Sequence, residues 1–164
     1  MALRVQAISQ PVKRRLSDAA LVDLSLRNHL SLSALRSEHG SAFHLGTIVR
    51  TMFASFYLFD AGFGDGNLSI YIDTDRSLGE LAMSRSLEST YSLGPHAFEA
   101  TVRLLELYDS QLRTASFEEL IAAHQRAECN FHASPERRLC IPALVQQSRQ
   151  RQGRDRSMNS AMDL

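Results

Sequence analysis

The run SAFHLGTIVRTMFASFYLFDAG, residues 41–62, decides how the rest of the chain must be read. Ser41 suits a helix N-cap and Gly62 a C-terminal stop. Between them Phe43, Leu45, Ile48, Val49, Met52, Phe53, Phe56, Tyr57, Leu58 and Phe59 place apolar groups almost all round a helix. Such a helix needs covering on every side. The stretch 43–63 is long enough to cross a bilayer, but Arg50 lies near its centre, with His44 and Asp60 as further polar interruptions, so the reading is a buried core helix and no membrane span. His44, Thr47, Thr51 and Ser55 recur at helical spacing as a narrow polar stripe, where another backbone approaches closely or one edge meets water.

Working outward, Ser17 caps a first helix, with Asp18 in its first turn, that runs through Leu21, Leu24 and Leu35 towards Gly40. Downstream, three glycines at 62, 64 and 66 make a loop, and Leu68, Ile70 and Ile72 alternate with polar or aromatic neighbours, which leaves room for a short strand or hairpin at 68–73. Ser77 and Glu80 match a capping box that opens a helix towards Leu87. Gly94-Pro95 opens the next, with Phe98, Val102, Leu105 and Leu112 on one face, and Ser116/Glu119 box the start of another that carries Phe117, Leu120, Ile121, His124, Ala127 and Phe131. Ser134-Pro135 reads as the start of a last short helix, broken near Pro142. The expectation is an all-α or mainly α fold: an irregular bundle of four or five helices with a Gly-rich loop.

The 164 residues fit one domain, with 44% apolar and 22% charged side chains, the balance of a chain that builds a core. Lys13 is the only lysine among 18 basic residues, and the net charge of zero is unevenly spread. Residues 1–15 are basic, 16–136 carry 16 carboxylates against 8 arginines, and 137–164 are basic again. The domain reading follows: a poorly ordered basic arm at 1–15, a helical domain at 16–146, and an unstructured Arg/Gln/Ser-rich tail at 147–164. Arg149, Arg151, Arg154 and Arg156 of that tail are the candidates for weak nucleic-acid contact, which the acidic body opposes. Two cysteines without disulfide spacing, and a start lacking an apolar signal region, predict a reduced cytoplasmic setting.

The residue types that carry chemistry are present without the spacing it needs. His124, Glu128 and His132 stand four apart with Cys129 adjacent, but His124 and His132 lie about 12 Å apart along a helix axis, too far to meet one ion. They are the candidate metal ligands, with the expectation that they do not assemble and that no cofactor is held. Gly62 to Gly66 lacks the Lys-Ser/Thr of a P-loop, and Asp60, Asp65, Asp73 and Asp75 lack EF-hand spacing. No G-x-S-x-G elbow is present, and neither Cys129 nor Cys140 has the surroundings of a nucleophile. Leu78-Gly79-Glu80-Leu81-Ala82 has the look of the first helix of a helix-turn-helix, but Pro95 would break the recognition helix that must follow.

Asn28-His29-Leu30-Ser31-Leu32-Ser33-Ala34-Leu35-Arg36, then His39-Gly40-Ser41, resembles a group of small proteobacterial helical proteins labelled Fis-like transcriptional regulators, as does the stretch from Ala97-Phe98-Glu99 to Leu107-Tyr108-Asp109-Ser110-Gln111-Leu112. The resemblance covers roughly residues 24 to 126. It implies a helical fold, a bacterial source and a regulatory role. The reading as a whole is an interaction or regulatory protein that binds and does not catalyse, paired as a homodimer through the 41–62 helix or bound to another protein. A DNA-associated regulator is the alternative, and a metal-dependent enzyme stands third.

Overall fold

A computed structural model of the chain describes residues 14–37, 39–83 and 90–162, with side chains described as far as 151. The basic arm, apart from Arg14 and Arg15, and the expected helix end at Leu87 lie outside the described residues. Among the described residues six helices follow in order: α1 Asp18–Arg36, α2 Ala42–Asp60, α3 Leu68–Met83, α4 Pro95–Thr114, α5 Phe117–Phe131 and α6 Ile141–Met162. The chain is mainly helical, and its six described helices exceed the expected four or five.

Four helices begin where their capping residues stand. The Ser17 hydroxyl accepts the Ala20 N–H at 3.3 Å at the head of α1. At Ser41 the backbone N–H donates to His44 Nδ1 at 3.1 Å, so the first residue of the polar stripe closes the start of α2. Gly94 precedes Pro95 at α4. At α5 the Ser116 N–H donates to Glu119 at 2.8 Å while Ser116 accepts the Glu119 N–H at 3.3 Å, a reciprocal capping box. Gly62, at φ 91°, ends α2 and lets the Phe63 N–H reach back to the Leu58 carbonyl at 2.9 Å.

α3 differs from the sequence reading. The stretch 68–73 is its first turns, and among the described residues there is no strand. Asn67 Oδ1 accepts the Ser69 N–H at 3.0 Å, an Asx cap. The positions buried along α3 are Tyr71, Thr74 and Leu78, at helical spacing, whereas Leu68, Ile70 and Ile72, whose alternation suggested a strand, are half-buried. Ser77 and Glu80 therefore lie inside a helix and form no capping box. The last helix also differs. Residues 135–137 form turns, Pro142 falls in the first turn of α6 where its missing N–H is harmless, and the helix continues through the segment read as an unstructured tail. Its N-terminus is held by Asp75, whose carboxylate accepts the Ile141 N–H at 2.9 Å.

α2 runs through the centre and packs against α1, α3, α4, α5 and α6 of its own chain. Ile48, Met52, Ala54 and Leu58 on α2 are sealed with Leu35, Tyr71, Leu78, Leu104, Leu105, Tyr108 and Ile141. The covering that seemed to require a second subunit thus comes from the chain itself. Thr51 donates to Asn28 and to the Thr47 carbonyl, and Ser55 bonds Tyr71 and Gln111, so the polar stripe is satisfied within the core. Across the α1–α2 turn, the Tyr91 N–H meets the Gly40 carbonyl at 2.9 Å, and a Cβ at Gly40 would stand 2.1 Å from the Tyr91 oxygen. Only glycine fits there.

Candidate functional site

One strip of α2 borders a groove, with Val49 half-buried and its neighbours buried. Leu45, Val49, Met52 and Phe53 floor a groove of about 450 Å³. Leu78, Gly79 and Ala82 of α3 form one wall, and Phe131, Leu139 and Cys140 form the other, with Tyr91 at an end. Beyond Phe131 at the end of α5 the second wall is irregular, and its shape comes from paired hydrogen bonds. Asn130 donates to the Leu139 carbonyl and accepts the Leu139 N–H, each at 2.9 Å, which ties the end of α5 to the residues before α6. Gly79 keeps the opposite wall low, since nothing lies within 4 Å of where a Cβ would be.

The groove is apolar with two charges on its border, Asp75 and Arg138. Burial pushes the Asp75 carboxyl above its ordinary range, with the Ile141 N–H pulling the other way. Arg138 donates to the Ala133 carbonyl at 3.3 Å and lies 5.8 Å from the Phe131 ring, so its guanidinium is held at the rim. These surroundings suit a ligand with an apolar body and few polar atoms.

The residues singled out from sequence fall elsewhere. His124 Nε2 lies 2.6 Å from the Tyr108 hydroxyl. Burial, and then the nearby Arg27 charge, lowers the His124 pKa, while burial raises that of Tyr108, so both partners of this bond favour their neutral forms. Glu128 stands 3.2 Å from His132 Nε2 and 3.7 Å from Arg50 Nε, and Cys129 and Cys140 are exposed free thiols. Among the described residues no three His, Cys, Asp or Glu side chains converge as metal ligands. Arg149 and Arg151 are exposed on α6; Arg154 and Arg156 are on the same helix, with side chains outside those described. No described helix is long and apolar enough to cross a membrane.

Asp75, Arg138 and Gly79 went unread as site residues. Asp75 drew notice only for calcium spacing, and nothing local marks a rim arginine or an open glycine before α3 and the 135–140 segment are brought together. No family model matches the chain, and it has no match among curated proteins or solved structures.

Proposed function

We propose that this chain is an interaction or regulatory protein that acts by binding, and that the α2–α3 groove receives the apolar body of a small amphipathic ligand whose acidic end pairs with Arg138. The observation that carries this reading is the apolar groove floored by Leu45, Val49, Met52 and Phe53 on a helix otherwise packed within its own chain. A volume of about 450 Å³ lies within the usual range of small-molecule sites. Titration with decanoate, followed by calorimetry, is the test. Wild-type protein should bind at a single saturable site, and Gly79→Leu should abolish binding by placing a side chain in the groove mouth while improving helix propensity. Absence of binding to wild type, or equal binding by Gly79→Leu, would overturn the reading.

Self-association belongs to the same proposal, moved from α2 to α1. Val22, Leu26 and Leu30 are each more than half exposed, at 64%, 54% and 59%, and stand four apart on one helix. A stripe of that kind is self-complementary under a twofold rotation, the commonest symmetry of soluble oligomers. The alternative reading, a DNA-associated regulator in keeping with the Fis-like resemblance, is favoured by one observation: α6 carries positions 149, 151, 154 and 156 on a helix and not on a coil.

A further inference from the structure

A second, polar cleft opens on a different face of α2. Arg27 of α1, Phe43, Thr47, Arg50 and Thr51 of α2, and His124 and Glu128 of α5 enclose about 220 Å³. Its hydroxyls are already committed: Thr47 donates to the Phe43 carbonyl at 2.9 Å, and Thr51 donates to Asn28 and to the Thr47 carbonyl. The donors left to meet a ligand are therefore the two guanidinium groups and the imidazole. Arg50 is held in place over the Phe131 ring at 4.8 Å, with Glu128 beside its Nε. Glu128 is shared between Arg50 and His132, which draws its charge to the outer edge of the cleft. Arg27 pairs with no carboxylate among the described residues. Nε2 is taken up by the Tyr108 hydroxyl, so Nδ1 is the ring nitrogen left to meet a ligand, as a donor when the ring is protonated.

We propose that this cleft binds a small oxyanion, a carboxylate or a phosphate, between Arg27 and Arg50, with His124 as the third donor. Two guanidinium groups against one shared carboxylate leave a net positive pocket, and planar forks of N–H donors suit oxyanion geometry. The volume is below the roughly 300 Å³ at which drug-sized ligands begin to fit, so the occupant is compact. His124 faces Tyr108 from α4, Arg27 from α1, Arg50 from α2 and Glu128 from its own helix. A bound anion offsets the two cations and raises the histidine pKa. By linkage, affinity rises as pH falls through that pKa.

The test is proton-detected NMR of the histidine ring resonances of the full chain at low ionic strength, titrated with inorganic phosphate and, separately, with acetate. At least one probe should shift the His124 resonances saturably and raise its titration midpoint; the probe that does so identifies the chemistry. Arg27→Gln, an exposed position with no carboxylate partner among the described residues, should weaken binding at least tenfold with an unchanged circular dichroism spectrum. Arg50→Gln should do the same, and Arg113→Gln, an arginine outside the cleft, should leave affinity within twofold. The proposal is overturned if neither probe saturates, if the His124 midpoint does not move, if Arg27→Gln binds like wild type, or if Arg113→Gln weakens binding equally, which would show surface charge alone.

Discussion

The Gln111 amide nitrogen donates to the Ser55 carbonyl at 3.1 Å, to the Phe63 carbonyl at 3.0 Å and to the Tyr71 hydroxyl at 3.2 Å, while its oxygen accepts from the Ser55 hydroxyl at 2.7 Å. Gln111 is fully buried, as are Ser55 and Tyr71, so those two partners have no water to turn to. Gln111→Leu removes these bonds from the core and should destabilise the fold by about 2–4 kcal/mol, read from urea denaturation midpoints at constant slope. Asp75 behaves in the opposite sense. Its folded pKa is raised, first by burial, so the fold favours the protonated form. Stability from that preference is complete below the unfolded carboxylate pKa and is lost as pH rises through the folded one. Asp75→Asn keeps an oxygen for the Ile141 N–H and removes the buried charge. It should raise the melting temperature relative to wild type at pH 7 and lose that advantage at pH 3.

At the level of elements, α1, α2, α4 and α5 were legible because their starts are written in residues with local hydrogen-bonding consequences: Ser17, Ser41, Gly94-Pro95 and the Ser116/Glu119 pair. α3 was misread because its local pattern competes with its tertiary one. Leu68, Ile70 and Ile72 alternate, but Tyr71, Thr74 and Leu78 are the positions the core takes, and only the finished packing shows this. α6 was misread because Pro142 looked like a breaker and the residues beyond Gln146 have no apolar face, although Pro in a first turn costs little and Gln and Arg accept helix. The groove was out of reach for a related reason: its walls come from α3 and from the Asn130–Leu139 pairing, both settled by contacts distant in sequence. The part of α6 beyond Gln146 is tied to the body by Ser148, whose hydroxyl donates to Asp60. Deleting residues 147–164 should lower the melting temperature by no more than about 4 °C. Any nucleic-acid affinity, measured by fluorescence anisotropy, should vanish with it; tight binding to one DNA sequence that survives the deletion would favour the regulator reading.

For the whole molecule, the enclosure of α2 moves the question of partners to the surface. The exposed stripe on α1 should give twice the chain mass in light scattering at tens of micromolar, and Leu26→Glu should return the mass of one chain without loss of helical signal. A single-chain mass for wild type would reject the pairing. The groove and the polar cleft have a side chain in common: Phe131 lines the first, its ring would lie 3.3 Å from a Cβ at Gly46, and it supports the Arg50 guanidinium that borders the second. One aromatic ring is thus both a wall for an apolar ligand and a platform for a cation. A molecule in the proposed groove that tilts the ring would reposition the charge on the other side, which would make the two proposed sites a thermodynamic couple. Decanoate and phosphate should change each other's dissociation constants by one and the same factor, different from unity, with Phe131→Leu bringing that factor towards one.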